Sequence, residues 1–334
     1  MKIDKFSLLF FGSDIFSVRI LNYLLDKQLC HIQVVTKAHT VLDKFSASRQ
    51  LQRNAWRDGL EDVDSDAFNI GLVASFGSII DEETVRRFKY GLFNVHPSML
   101  PQYRGSTPIQ AAIFDDRKET GCTIMRIPPI PKFDIGDIIL QERLAIRDRE
   151  YAVDLRDRLA DLGARMTEKF LLNYDTCLKS SRPQGEQNKS LAKKLKLEQG
   201  HLKFKSHSRD LIDRKVRAYT GFIDLYMTCL GGLLVRLEEM VEPEKVDAFD
   251  LDRLASEALN CDKIEMKIDG TDIELLAGVM YFHKIRRLLC IRSADRQWLA
   301  FRWATPDRKP RMSAADFYNG YLSKLPQESR LTDV

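Results

Sequence analysis

The sequence predicts an α/β protein in two parts, a doubly wound parallel sheet followed by a smaller β-rich domain closed as a barrel. Three observations carry this reading. The chain has 334 residues, 44% apolar and 30% charged, more than a single core usually organises. Over the first 180 residues short apolar runs alternate with segments of helical period, the pattern of strand–helix–strand units. Past about residue 206 the chain changes to short alternating strands separated by turns.

Phe6–Gly12 is an apolar run ending in glycine, followed by helical spacing through Val18, Leu21, Leu24 and Leu25. His31–Thr36 reads as a second strand and Ile70–Ser75 as a third, fully buried one. Asp81 is placed to cap the next helix, with Glu82 and Glu83 in its first turn. Gly91–His96 and Thr120–Ile127 complete the strands. Leu155, Leu159, Leu162, Met166 and Phe170 give a helix over Val153–Leu172 that packs back on the sheet. From Ser180 the chain turns polar, with Pro183 and Gly185, as a linker does. After a helix near Arg209–Tyr219, strands are expected around Ile223–Met227, Leu233–Leu237, Ile264–Ile268, Ile273–Leu276 and Trp298–Arg302.

Several classes are excluded. No apolar run approaches the roughly 18 residues of a bilayer span. The six cysteines include no C-x-x-C pair, which argues against a thiolate zinc cluster, and the histidines form no ligand pattern with them, so no metal is expected. Gly12 stands alone in the first turn, so neither the dinucleotide glycine pattern nor a P-loop is present. The amino terminus, Met1–Lys5, runs straight into a strand with neither a secretory core nor an Arg-rich presequence.

The net charge of +4 hides a cluster: residues 179–218 carry 12 Lys and Arg against four acids, and Lys284–Arg311 carries nine against Asp295 and Asp307. Two such clusters suit a polyanion, because each neutralised phosphate releases counterions.

Chemistry concentrates in Asn94-Val-His96-Pro-Ser98-Met99-Leu100-Pro101-Gln-Tyr-Arg104-Gly-Ser-Thr-Pro108. Asn94 and His96 are two apart on a strand and share a face. They sit at its carboxyl end, where open α/β sheets place ligands. An amide beside an imidazole offers two donors to one developing oxyanion. Leu100-Pro101 is a candidate cis bond. The later loop Pro128–Asp137 carries Asp134 and Asp137, either of which can reach the same crevice and orient the histidine.

These motifs, with Thr120-Gly-x-Thr123-Ile-Met125, Phe133-Asp134-x-Gly136, Leu191-Ala-Lys-Lys-Leu195 and Ala314–Tyr321, closely resemble the methionyl-tRNA formyltransferase family over nearly the whole chain, and its mitochondrial members most. The resemblance implies a Rossmann-like catalytic domain (1–180), a basic linker (181–205) and an OB-like carboxy-terminal domain (206–334). It implies 10-formyltetrahydrofolate as co-substrate and initiator methionyl-tRNA as acceptor, in a monomer of the mitochondrial matrix. The catalytic positions fall on Asn94, His96 and Asp134, with Asp134 rather than Asp137 in the Phe-Asp-x-Gly frame. Folate contacts fall on Ser98, Met99, Leu100 and Pro101; Lys193, Lys194, Lys196 and Arg104 are assigned to the tRNA. The stretch Lys37–Lys44 is shorter than the basic insertion of bacterial members and lacks its Arg-Gly pattern. A formyltransferase for small amines would share the first domain without needing the basic linker, and an RNA-binding protein on a decayed scaffold would not keep the three site residues.

Overall fold

The computed structural model describes residues 5–56, 67–130, 133–229, 231–259, 265–268, 272–326 and 330–332. The chain divides into two compact units, Met1–Lys194 and Leu195–Val334.

In the first unit β1 (Ser7–Gly12), β2 (His31–Thr36), β3 (Arg53–Ala55), β4 (Ile70–Ala74) and β5 (Leu92–His96) are followed by the two-residue β6 (Arg104–Gly105), then β7 (Glu119–Arg126), β8 (Ile138–Ala145) and the short β9 (Leu191–Ala192). The central sheet runs β3-β2-β1-β4-β5-β7-β8. From β3 to β5 all pairings are parallel. β7 pairs antiparallel with β5, and β8 with β7. The sheet is therefore mixed, which corrects the expectation of an all-parallel one. β7 and β8 are joined directly by a loop, and neighbours joined without a crossover run antiparallel.

Helices α1 (Ile15–Lys27), α2 (Val41–Ser48), α3 (Glu82–Arg86), α4 (Pro108–Phe114), α5 (Ala152–Leu172) and α6 (Tyr174–Lys179) accompany these strands. Asp14 caps α1 by accepting from the amides of Phe16 and Ser17, and Asp81 caps α3 through Thr84, because these short carboxylates satisfy otherwise orphaned amides. The expected face of α5 is buried, Leu155, Leu159, Leu162, Met166 and Phe170 included.

The chain leaves β1 for β2 and β3 on one side and returns to β4 on the other. Between β1 and β4 the strand order reverses, so their carboxyl ends splay to form a crevice. The 181–205 stretch read as a linker is divided between the units. Arg182 bridges Ile138 and β9 pairs with β6, so its first part is laid on the sheet domain.

The second unit holds α7 (Arg209–Tyr219), β10 (Tyr226–Cys229), β11 (Leu233–Met240), α8 (Pro243–Asp247), α9 (Leu251–Leu259), β12 (Glu265–Ile268), β13 (Asp272–Leu275), β14 (Met280–His283), β15 (Leu288–Arg292), β16 (Trp298–Pro306) and α10 (Ala314–Gly320). Five of these strands form an antiparallel sheet, β10-β11-β16-β15-β14, and β12 pairs with β13 separately. Its core gathers Val246, Leu251, Val279, Leu288, Cys290, Trp298 and Ala300. No helix among the described residues is long and apolar enough to cross a membrane.

Candidate active site

Two loops meet over the carboxyl end of β5. Asn94 and His96 leave the strand on one face, and Asp134 arrives from the segment between β7 and β8. Asn94 Nδ2 donates to Asp134 Oδ1 at 3.0 Å, and the amide of Gly105 donates to Asp134 Oδ2 at 2.9 Å. A carboxylate only accepts, so these bonds fix which end of the Asn94 amide faces it. Asp134 itself has a left-handed backbone, φ 52°, which Asp tolerates better than most residues.

His96 is buried, and its Nε2 lies 3.0 Å from the Tyr103 carbonyl. That carbonyl cannot donate, so Nε2 carries a proton. Nδ1 then faces Asp134 Oδ1 at 3.7 Å and can donate only when the ring is an imidazolium. The expected Asp–His hydrogen bond is thus not what sets the tautomer: the Tyr103 carbonyl does, and Asp134 spends its nearer oxygen on Asn94. Asp137, the other acid of that loop, is exposed and contributes its backbone carbonyl to Arg126 instead.

The site opens into a cleft of about 700 Å³. One wall holds Asn94, His96, Asp134 and Arg104, and the opposite wall holds Ser13, Asp14 and Ser75 to Ile79 from the ends of β1 and β4. Ile79 and Phe133 stand 57% and 63% exposed at this cleft, large apolar side chains without full cover. Asp14 accepts from the Ser75 hydroxyl at 2.6 Å. Burial lifts its carboxyl above the usual range, opposed by hydrogen bonds from Ser75, Ser17 and Phe16. The Lys37–Lys44 stretch ends this wall: Thr40 caps α2, and Lys37 Nζ donates to the Gly77 carbonyl.

The remaining candidates divide. Ser98 and Leu100 are buried, and none of Ser98, Met99, Leu100 or Pro101 lines the cleft. Ser98 Oγ donates to the Gln102 carbonyl and Thr123 Oγ1 to the Ser98 carbonyl. The segment is a packed support behind His96, with Leu100-Pro101 in the cis form. Arg104 is 7% exposed and gives both Nε and Nη2 to Gln184 Oε1, so its guanidinium is a cleft-wall group rather than a surface one. Lys193 reaches the cleft rim. Lys193, Lys194 and Lys196 are exposed and make no ion pair among the described residues.

Other members of the basic clusters are already engaged. Arg217 pairs with Asp213 at 2.8 Å, Arg292 is buried beside Asp252, and Arg311 stacks on Trp303 at 3.9 Å while pairing with Glu238 and Glu239. Among the described residues no group of three His, Cys, Asp or Glu is placed to hold a metal ion.

The contributions of Tyr103, Gly105 and Gln184 escaped the sequence reading. Two act through backbone atoms, which carry no residue signature, and Gln184 lies in a polar stretch without periodicity.

The family described as formyl transferase matches residues 23–170, a span that contains Asn94, His96 and Asp134. The mitochondrial methionyl-tRNA formyltransferase of Homo sapiens is 29% identical over 333 residues, covering 96% of this chain and 79% of that protein. The chain is similar to the methionyl-tRNA formyltransferases over nearly its whole length. A bacterial member from Anaplasma marginale is 36% identical over 187 residues, covering 50% of this chain and 60% of that protein. Among solved structures, HypX from Aquifex aeolicus in complex with tetrahydrofolic acid shares the fold, with TM-score 0.61 at 14% identity over 96% of this chain and 48% of its own. The chain thus spans about half the length of HypX. The sugar 3N-formyl transferase WlaRD shares it at TM-score 0.54 and 19% identity, covering 91% of this chain and 99% of that one.

Proposed function

We propose that the protein transfers the formyl group of 10-formyltetrahydrofolate to the α-amino group of methionyl initiator tRNA. The observation that carries this is the convergence of Asn94, His96 and Asp134 on one side of a cleft of about 700 Å³. The amine attacks the formyl carbon and a new C–N bond forms. The formyl oxygen becomes an oxyanion, held by the Asn94 amide and by Nδ1–H of charged His96. Asp134 balances that charge and receives the amine proton through water. Collapse of the intermediate breaks the bond to N10 of the folate, which takes up the proton. Fixed donors at an oxyanion are worth roughly 3–4 kcal/mol each.

The folate lies in the cleft, its flat ring against the exposed faces of Phe133 and Ile79; Ser98, Met99, Leu100 and Pro101 serve it by holding His96 from behind. Lys193, Lys194 and Lys196 meet tRNA phosphates, while Arg104 stays in the cleft wall. The antiparallel sheet of the second unit is an OB-like barrel that carries the rest of the tRNA. The protein works as a monomer in the mitochondrial matrix.

The test is incubation of the protein with methionyl-tRNA and 10-formyltetrahydrofolate, followed by detection of N-formylmethionine. Formylation of free amines or amino sugars with none on charged tRNA overturns the assignment. Sedimentation checks the monomer.

A further inference from the structure

The segment after α6 does more than connect. From Pro183 to Lys189 every residue but one is exposed. The exception, Gln184, is half-buried and makes four hydrogen bonds. Its Oε1 accepts from Arg104 Nε at 3.0 Å and Nη2 at 2.7 Å. Its Nε2 donates to the carbonyls of Asp134 at 3.0 Å and Gly136 at 2.8 Å. A guanidinium only donates and a carbonyl only accepts, so the amide has one possible orientation and all four bonds are made together.

The groups it joins come from different elements. Asp134 and Gly136 belong to the loop between β7 and β8, and Arg104 belongs to β6, whose Gly105 amide holds the Asp134 carboxylate. Both glycines are required. A methyl on Gly136 would lie 1.6 Å from the Arg126 carbonyl oxygen, and one on Gly105, with φ 115°, 2.5 Å from that of Ala192. The Asp134 loop is therefore pressed against the sheet beneath by Gly136 and clasped from above by one side chain.

We propose that Gln184 is a positioning residue: it fixes the Asp134 backbone in its left-handed form, so that the carboxylate meets Asn94, His96 and the Gly105 amide together. This rests on Asp134 acting in the transfer. Gln184 touches neither substrate nor the reacting atoms. It acts through Asp134, and it does so from a segment that leads directly to the second unit.

The test compares Gln184→Ala, Gln184→Glu and Asp134→Ala in the full-length protein with methionyl-tRNA and 10-formyltetrahydrofolate. Gln184→Glu keeps the size of the side chain and the bonds to Arg104 but has no N–H to give the two carbonyls, so it separates loop positioning from folding. Both Gln184 variants should lower kcat roughly 10- to 100-fold, the scale set by a small misplacement of a reacting geometry, with KM for tRNA and the unfolding midpoint of Gln184→Glu close to wild type. Combined with Asp134→Ala, Gln184→Glu should cost no further activity, because the group it places is gone. If Asp134→Ala is slow while Gln184→Glu turns over normally, or if the two losses multiply in the double variant, the positioning role is overturned and the functional reading stands. If Asp134→Ala itself turns over normally, the functional reading falls, and this role with it.

Discussion

The two loops at the cleft are held by different means. The one after β5, bearing His96 at its root, is sewn into the interior. Thr123, fully buried, donates to the Ser98 carbonyl and accepts from the Leu100 amide, and Gln141 donates to both Thr123 and the Leu100 carbonyl. Around Asp134 itself the other loop is held by the side chains of Asn94 and Gln184 and by the amide of Gly105, with Asp137 tied to Arg126 by one backbone bond. His96 thus stands at the root of a loop tied through buried hydrogen bonds, whereas Asp134, the proposed acid, is tied through partly buried ones.

This contrast can be broken at either loop. The largest effect is expected at the one after β5. His96→Ala and Asn94→Ala should each lower kcat by roughly 100- to 1000-fold, with equilibrium tRNA binding unchanged in a filter or fluorescence titration. Near-normal turnover in His96→Ala would remove it from the oxyanion site. Thr123→Val should strike stability first. It leaves the Leu100 amide without its partner in a dry interior, at about 1–3 kcal/mol, readable as a lower denaturant midpoint; an unchanged midpoint would show that the loop is not held by this hydroxyl.

A smaller effect tests the strap beyond the loops. Replacing Lys193, Lys194 and Lys196 by Glu should weaken tRNA binding and reduce the slope of log K against log salt by roughly two to three, with kcat at saturating tRNA kept. Equal slopes for variant and wild type would take these lysines off the phosphates. The smallest effect lies away from the cleft. His207 Nδ1 accepts from the Lys203 amide, and burial, then the charge of Lys215, pushes its imidazole down to about 4. Between pH 4 and the ordinary value of 6.5 the unfolded chain therefore binds more protons than the folded one. Stability contributed by this group rises with pH across that window. His207→Gln should flatten the rise in thermal midpoint; an unaltered pH profile would contradict it.

The sequence shows some of this layout openly. The buried face of α5 follows from its 3.6-residue spacing, the Asp81 cap from residue type, and the shared face of Asn94 and His96 from their separation of two. The reversal of β7 is hidden, because period reports which face of a strand is buried and not which way it runs. β14, β15 and α10 went unrecognised as separate elements in a stretch of mixed polarity. At the site, Asp134 and Asp137 are equivalent by spacing alone; only the left-handed turn at Asp134 and the close packing of Gly136 decide which one faces inward. Arg104 reads as a basic surface residue because charge is visible in a sequence and burial beside Gln184 is not.

The amide nitrogen of Asn94 has a further consequence. In the transfer proposed above, it and the His96 ring line the place of the travelling carbon with hydrogen-bond donors. A methyl or bridging methylene on the folate brings no oxygen to meet them and leaves Asn94 bonded to Asp134 as before. On that reading such cofactors gain nothing from these donors, and the cleft would sort the one-carbon pool by oxidation level.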